Sequence, residues 1–339
     1  MQNKPIKTIF VCEFITGGGF NHNDLHQALA AQGQLMRDAL LKDLSSLDYQ
    51  VQTTVDARLT PPIGCRVCRE INTQDDVWQV WEEEIQRSEA VWLIAPETDG
   101  YLERMTGLAV KHNKKVIGCG LTAIKAFSSK LNTYQLLTQS NITTLPTYSL
   151  IDWPKSKGAQ WLAKPDDGAG CEETVCFKKA EDLERWLLLN GRHKTHIIQP
   201  FIIGDAASIS CVMHQGKAQV LSCNAQLIIV ENNVLSYLGC IVNGMRQHWL
   251  AFEAVANKIA RLLPGITGYI GIDLIVSDCG KQLTVVEVNP RLTTSYVALK
   301  EATGHNPAEL IMHTCTKENY VWPTITQNEV RLTLSQYHA

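Results

Sequence analysis

The stretches GIDLIVS (271–277) and VVEVNPRLTTSY (285–296) decide the fold, because they place three oxygen-bearing side chains on two apolar strands. Glu287 and Asn289 are two residues apart, so in a strand they project from the same face. If the two strands pair antiparallel, Asp273 completes a set of hard oxygen donors. Such donors suit Mg²⁺, which is usually held by one or two carboxylates together with substrate phosphates. The alternative is that these polar side chains simply face solvent. An unpartnered carboxylate is costly to bury in an apolar strand, however, which favours a metal site.

Two lysines and an arginine are the candidate partners of such phosphates: Lys130 in SSKLNTY, Lys164 in WLAKPDD and Arg291 in NPRLTTSY. Lys164 follows an apolar run and precedes DDGAGCEET. There, Gly168 and Gly170 permit backbone conformations that turn N–H groups toward an anion. A plain hairpin is the alternative for this turn. Its position directly after the lysine favours a lid over phosphates.

A third segment, HIIQPFIIGDAASIS (196–210), has the composition of a strand that ends at a polar edge. It offers Gln199, Pro200, Phe201 and Ile202, followed by Gly204 and Asp205. Backbone groups at such a strand end can read the edge of an adenine ring. The alternative is a core strand with a turn at Gly204.

The first third of the chain alternates short β-branched runs with helical patterns, which predicts a parallel sheet covered by helices. Strands are expected at 6–14, 49–56, 90–96 and 114–120, with helices at 25–47 and 77–87. Open sheets of this kind bind ligands at the carboxyl ends of their strands. TGGG (16–19) and PETDG (96–100) lie at two such ends.

From about Leu121 the pattern changes to hairpins, which predicts an α+β region. A helix is expected at 129–139 and another from His248 to Leu263, ahead of Pro264. The long strand-like runs are SISCVMH, AQVLSCNAQLIIV, YIGIDLIVS and LTVVEVNP.

Composition excludes several classes of protein. The 339 residues carry a net charge of -3 and no Lys/Arg-rich tract, which argues against a nucleic-acid partner. No apolar run is long enough to span a bilayer, so no membrane association is expected. Eleven cysteines, an odd number, favour a reduced cytoplasmic location. Cys65 and Cys68 could form half of a zinc site, but no second pair of ligands completes it.

The order of these residues along the chain resembles the ATP-grasp superfamily of carboxylate–amine ligases. The order is Lys130, Lys164 with its Gly-rich loop, the segment that begins at Gln199, and then the Asp, Glu and Asn of the two strands. Within this superfamily, the chain is most similar to one type of ligase. Five sequence segments carry the similarity: FVCEFITGGGF, IAPETDG, SSKLNTYQLL, AKPDDGAGCEET and VEVNPRLTTSYVAL. That type joins tyramine to glutamate in methanofuran biosynthesis and has relatives in methylotrophic bacteria.

The resemblance implies a role for each matching residue. Lys130 and Lys164 would contact the ATP phosphates, and the 166–174 loop with Asp167, Gly168 and Gly170 would close over them. The adenine pocket would be lined by Gln199, Pro200, Phe201 and Ile202, with Asp205 beside it. Asp273, Glu287 and Asn289 would bind two Mg²⁺ ions, for which Mn²⁺ could substitute. Arg291 and Lys164 would be catalytic, with Arg291 facing the transferred phosphoryl group.

The implied fold is an α/β N-terminal domain followed by an α+β ATP-grasp fold, in which two α+β subdomains clasp ATP. The expected divisions are 1–120, 121–203 with the phosphate lid, and 204–339 with the metal site. The sequence departs from the family at two places. Many members carry Glu where this chain has Gln199 and Asp205, which puts ribose contact by Asp205 in doubt. Some place Arg where this chain has Gly271, so Arg291 or a lysine must supply that charge.

The implied reaction is amide formation from a carboxylate, with L-glutamate the expected acid, and a tyramine- or tyrosine-like amine through an acyl phosphate. Substrate contacts are expected from Glu13, Gly17, Gly18 and Gly19 at the first strand end, and from Thr293, Thr294 and Ser295 in the turn after the metal strand. A homodimer is compatible with the resemblance. The alternatives are a ligase of other amino acids or peptides and an ATP-binding sensor without turnover. A dehydrogenase is disfavoured because TGGG lacks the G-x-G-x-x-G spacing.

Overall fold

The computed structural model describes residues 6–156, 159–168, 170, 171, 173–277, 280, 282–317 and 320–334. The strands of its first part are β1 (Thr8–Glu13), β2 (Gln50–Asp56), β3 (Val67–Ile71), β4 (Ala90–Ile94) and β5 (Lys115–Val116). The helices there are α1 (Gln27–Ser45), α2 (Val77–Arg87), α3 (Tyr101–Lys111) and α4 (Leu121–Phe127). The strands pair in parallel in the order β3-β2-β1-β4-β5, as the alternating pattern predicts.

This parallel sheet forms because its central strands are apolar on both faces and helices cover them. Every residue of β4 is buried. Helix α2 begins after Asp76, whose carboxylate accepts hydrogen bonds from the N–H groups of Trp78 and Gln79. Its Trp81 and Ile85 are fully buried against the sheet.

Strand β3 is an addition to the predicted elements. β3 lies at the sheet edge, so it carries charged residues and lacks the apolar alternation by which a strand is predicted from sequence. One of these residues, Arg69, pairs with Glu83 of α2 at 2.7 Å. Cys65 and Cys68 lie at this edge as free, half-buried thiols. No cluster of three His, Cys, Asp or Glu side chains suited to a metal occurs in the part of the chain that the structure describes.

The second part is built on a long antiparallel sheet. Its strands are β6 (Trp161–Pro165), β7 (Val175–Phe177), β8 (His196–Pro200), β9 (Asp205–His214), β10 (Lys217–Glu231), β11 (Val234–Val242), β12 (Gly268–Ser277), β13 (Gln282–Asn289) and β14 (Val330–Thr333). The helices are α5 (Lys130–Gln139), α6 (Ala180–Leu188), α7 (Trp249–Ala260), α8 (Leu299–Thr303) and α9 (Pro307–Thr316). The order is β13-β12-β9-β10-β11-β7-β6-β8, and β14 pairs with β11.

Two tight turns fix the register at the centre of this sheet. Gln215 and Gly216 join β9 to β10, and Asn232 and Asn233 join β10 to β11, all with positive φ. Two-residue turns with positive φ at both positions match the twist of antiparallel strands, and Asn and Gly adopt them most readily. These hairpins confirm the change from crossover connections to an α+β region. No helix among the described residues is long and apolar enough to cross a membrane.

Candidate active site

A cavity of about 880 Å³ lies between the parallel sheet and the antiparallel sheet. This volume is typical of sites that bind small molecules. Its walls bring together most of the predicted site residues: Glu13, Lys130, Lys164, Gly168, Gly170, Gln199, Pro200, Phe201, Ile202, Asp205, Asp273, Glu287, Asn289, Arg291, Thr293, Thr294 and Ser295. Residues that are 282 positions apart in the chain therefore share one cavity.

The three candidate metal ligands converge as the strand pattern predicts. Strands β12 and β13 pair antiparallel, with Asp273 opposite Glu287 and Gly271 opposite Asn289. The register shifts after this pair, because Val286 is an extra residue on β13 directly before Glu287. Such bulges are frequent beside active sites, where they re-aim a side chain. The Asn289 amide donates to Asp273 Oδ2 at 3.1 Å, which joins the acid and the amide in one cluster.

Two lysines face this cluster. Lys130 Nζ lies 3.5 Å and Lys164 Nζ 3.9 Å from Glu287 Oε2. Burial would raise the pKa of Glu287, but the two ammonium groups outweigh burial and lower that pKa to about 2. Burial also lowers the pKa of Lys164, which Glu287 opposes. The ionised Glu287 is therefore the counter-charge that keeps two buried lysines in place.

Asp273 is in the opposite electrostatic situation. Burial, and then the negative charge of Glu287, raise its pKa well above the ordinary value. Two carboxylates that repel each other beside an amide oxygen are a donor set that fits Mg²⁺. The set is too small for a closed cage, so Mg²⁺ here would take further oxygens from water or phosphate.

The loop predicted to be a phosphate lid begins beside the lysines. Lys130 Nζ donates to the carbonyl oxygen of Gly168 at 2.5 Å, and the Lys130 N–H donates to Asp166 O at 3.0 Å. Asp167 does not line the cavity. Its backbone oxygen accepts from Thr98 Oγ1 at 3.1 Å, which ties the loop to the N-terminal domain. Residues 169 and 172 of the predicted lid lie outside the described residues.

The segment predicted to read adenine borders the same cavity. Strand β8 pairs with β6, and Gln199 stands opposite Leu162. Gln199 is fully buried; its amide nitrogen donates to Thr147 Oγ1 at 2.9 Å, while its Oε1 has no hydrogen-bond partner within the described ranges. Phe201 and Ile202 are half-buried, and Asp205 is exposed at the rim. A purine base would therefore find an apolar slot with an exposed acid at its edge.

Arg291 connects the two parts of the protein. Its Nε donates to Glu97 Oε2 at 3.0 Å, Nη2 lies 2.9 Å from the same oxygen as an ion pair, and Glu97 follows β4 in the N-terminal domain. Nη1 donates to the backbone oxygen of Leu292 at 3.2 Å. Arg291 lines the cavity, so this guanidinium is available to an anion while it is held from the other side.

The turn after Arg291 rests on buried hydroxyl groups. Tyr269 Oη lies 2.8 Å from Thr293 Oγ1 and 3.2 Å from Ser295 Oγ, and Tyr237 Oη lies 3.1 Å from Thr294 Oγ1. The three turn residues therefore have fixed side chains on the cavity wall, which is what a substrate contact requires.

The far end of the cavity belongs to the N-terminal domain. Glu13 ends β1 and is buried, and its Oε2 accepts from the Thr16 N–H at 2.7 Å. Burial raises the pKa of Glu13, which the Thr16 hydrogen bond opposes. The surrounding wall is largely apolar and aromatic, with Phe20, Leu29, Met36 and Tyr101. Helix α1 has Gly33 here, and a Cβ at that position would lie 2.5 Å from Glu13 Oε2.

Gly17, Gly18 and Gly19 do not line the cavity. They form a π-helical turn (Ile15–Gly19) packed into the domain: Gly18 has φ 103°, and its Cβ would collide with Ile71. The Gly17 oxygen accepts from Thr54 Oγ1 at 2.9 Å. The three glycines therefore pack inside the domain next to the strand end that carries Glu13. They do not face the cavity, where the sequence predicted a substrate contact.

Two contacts at the cavity were not expected from the sequence. Gln226 of β10 donates to Asp273 Oδ1 at 2.8 Å, and Glu97 holds Arg291. The position of PETDG at a strand end was a usable signal for Glu97. Gln226 has no such signal, because it lies within a long strand whose neighbours are set only by the sheet order.

Comparison with known proteins adds family evidence to this geometry. Residues 49–124 match a model of the pre-ATP-grasp domain, and residues 127–295 match a model of the ATP-grasp domain. The tyramine–L-glutamate ligase of Methanocaldococcus jannaschii is 25% identical over 324 residues, which are 92% of this chain and 91% of that protein. The enzyme of the same description from Methanocaldococcus fervens is 29% identical over 228 residues, 66% of this chain; the match spans 65% of that relative's length.

Solved structures show the same fold. An ATP-grasp superfamily protein from Archaeoglobus fulgidus superposes with a TM-score of 0.69 at 22% identity, over 96% of this chain and 99% of that one. The L-amino acid ligase from Bacillus licheniformis gives 0.67 at 16% identity, over 93% and 75%. With the two domain matches and the two curated relatives, these findings confirm the predicted resemblance. The chain belongs to the ATP-grasp family.

Proposed function

We propose that this enzyme joins the carboxylate of an amino acid, L-glutamate, to a tyramine- or tyrosine-like amine through an acyl phosphate, with release of ADP and phosphate. The curated relatives support this choice of substrates, since both are described as tyramine–L-glutamate ligases. A role in the synthesis of a methanofuran- or methylofuran-type cofactor is part of the same proposal. So are the two-ion metal site, with Mn²⁺ able to substitute for Mg²⁺, and the domain divisions at 120 and 203.

The observation that carries the proposal is the chemical difference between the two ends of one cavity. One end holds Lys130, Lys164 and Glu287, with the charge and the oxygen donors that a polyphosphate and its cation need. The other end is aromatic and apolar, with a buried carboxylate at its wall. An arylalkylamine combines an aromatic ring with a nitrogen that is cationic before reaction, so it fits the second end. The carboxylate to be activated would lie between them, beside Arg291.

In the proposed first step, a carboxylate oxygen of the acid attacks the γ-phosphorus of ATP and ADP leaves. Phosphoryl transfer needs mainly alignment and charge neutralisation from the protein. Lys130 and Lys164 would neutralise phosphate oxygens, and Arg291 would stabilise the group in transfer. Asp273, Glu287 and Asn289 would hold Mg²⁺, whose positive charge would help to neutralise the phosphates.

In the proposed second step, the ammonium group first loses one proton to solvent. The resulting neutral amine attacks the acyl carbon, the carbon–oxygen bond to phosphate breaks, and the departing phosphate takes the second proton from nitrogen. The tetrahedral intermediate carries an oxyanion, for which Arg291 and the backbone N–H groups of the 293–295 turn are the nearest donors of the cavity wall. Glu13 would hold the amine in its cationic form before reaction. Aromatic contact with Phe20 and Tyr101 would align the ring.

The test is phosphate release by the purified enzyme with ATP and Mg²⁺, with L-glutamate present and amines added singly. Tyramine and tyrosine are the first two amines, and an aliphatic amine of similar length is the control. We expect release only when both an acid and an aryl amine are present, and a product whose mass equals their sum less one water. ATP binding without release for any pair would contradict the proposal.

A further inference from the structure

The contact between Glu97 and Arg291 links the N-terminal domain to the centre of the cavity, and it is unusually one-sided. Nε of Arg291 donates to Oε2 at 3.0 Å, and Nη2 lies 2.9 Å from the same oxygen as an ion pair. The other oxygen, Oε1, is buried and has no hydrogen-bond partner within the described part of the chain. Glu97 is 6% exposed and is not part of the cavity wall, whereas Arg291 is.

This geometry has an energetic reason. A buried guanidinium needs a counter-charge, since an unpaired buried ion is strongly destabilising. In a bidentate pair, each of the two carboxylate oxygens accepts a hydrogen bond from a different guanidinium nitrogen. Here one oxygen receives both contacts, so Nη1 is left to the Leu292 carbonyl, and the 3.5 Å contact of Nη2 with Asn289 Oδ1 is long. The carboxylate thus fixes one side of the guanidinium and leaves the other side weakly bonded.

We infer that Glu97 is the positioning residue for Arg291. Through this contact, the N-terminal domain determines the position of the Arg291 guanidinium relative to the transferred phosphoryl group. The inference rests on the proposed function. Glu97 would touch neither ATP nor the acid. It would act on turnover by holding the guanidinium in the orientation that phosphoryl transfer uses, since a misplacement of about 1 Å can cost roughly 100-fold in rate.

The test compares Glu97→Gln and Glu97→Asp with wild type, using kcat and the KM for ATP with the responding acid and amine. We expect Glu97→Gln to lower kcat about 100-fold while the KM for ATP stays within about threefold. Glu97→Asp restores the charge on a shorter side chain and should recover to within about tenfold of wild type. Glu103→Gln is the matched control, because Glu103 of α3 pairs with Lys125 at 3.2 Å on the surface. It should behave as wild type.

A double variant separates positioning from a merely structural role. If Glu97 acts through the arginine, Glu97→Gln should lower kcat by less than about threefold in an Arg291→Lys background, because residues that act as a unit are not additive. Multiplicative losses, or a folded Glu97→Gln enzyme with wild-type kcat, would overturn the inference. If Glu97→Gln does not fold, Glu97→Asp decides: a loss of kcat in the wild-type background that disappears in the Arg291→Lys background supports positioning, and equal losses in both backgrounds, or no loss in either, contradict it. A wild-type enzyme without amine-dependent phosphate release would instead refute the proposed function.

Discussion

Replacement of Glu287 by Gln should damage the enzyme in two separable ways. The first is stability without ligands, because Lys130 and Lys164 lose the counter-charge that lies 3.5 and 3.9 Å from them. Glu287 has a pKa of about 2 in place of the ordinary 4.5. A depressed carboxylate pKa stabilises the folded state above the unfolded pKa, so the contribution is fully present at pH 7. It amounts to about 3 kcal/mol, the order expected for breaking a buried ion pair.

The second loss is turnover. Glu287 supplies one of the two carboxylates of the proposed metal site, and its replacement should lower kcat by about 100-fold or more. Both losses are measured on one preparation. Urea unfolding at pH 7 with EDTA gives the free energy of unfolding, and phosphate release with ATP, Mg²⁺ and the substrate pair gives turnover. Circular dichroism confirms that the variant is folded.

Asp273→Asn is the matched control, because it affects the same cluster with the opposite electrostatics. Burial and the charge of Glu287 raise the pKa of Asp273, so its ionised form is disfavoured in the folded enzyme, unlike that of Glu287. A neutral Asn should change the free energy of unfolding by less than about 1 kcal/mol, while turnover falls as in Glu287→Gln. Equal destabilisation by the two substitutions, or full turnover in either, would refute this reading of the charges.

Three further predictions concern the second end of the cavity, the metal site and the fold. Gly33→Ala should raise the KM for the amine at least about tenfold by displacing Glu13, although Ala favours a helix by about 1 kcal/mol. Gly107→Ala, whose Cβ meets nothing within 4 Å, should leave that KM unchanged. Gln226→Leu removes the donor 2.8 Å from Asp273 Oδ1 and should weaken Mg²⁺ binding about 10- to 100-fold, seen as a higher Mg²⁺ concentration at half-maximal rate. Burial lowers the pKa of His196, so the unfolded chain takes up this proton first and stability should fall as pH drops below about 6.5. Chemical unfolding between pH 7.5 and 5.5 should show a smaller loss in His196→Gln; an equal loss would contradict the assignment.

The cluster of Asp273, Glu287 and Asn289 could be predicted from sequence because its signal is local. Two acids and an amide stand in apolar strands at a spacing of two, and strand alternation alone places Glu287 and Asn289 on one face. The lysines needed the family resemblance, since one lysine after one strand carries little information. Their distances to Glu287 confirm that they share its cluster.

Other parts of the site depend on topology that no local pattern encodes. Glu97 and Arg291 are 194 positions apart, and their contact exists because the end of β4 is brought against the turn after β13. Gln226 reaches Asp273 only because β9 lies between β10 and β12 in the sheet order. The TGGG turn illustrates the converse: its glycines suggested a ligand loop, whereas their close packing against Ile71 and Phe14 accounts for the absence of side chains.

The most direct test of the central claim, activation of a carboxylate by phosphorylation, is an isotope-transfer measurement. The acid substrate is labelled with ¹⁸O in its carboxylates and incubated with the enzyme, ATP, Mg²⁺ and the responding amine, and the released phosphate is analysed by mass spectrometry. An acyl phosphate that is attacked at carbon predicts one ¹⁸O atom in each phosphate formed together with amide. Amide formation with unlabelled phosphate would contradict the account.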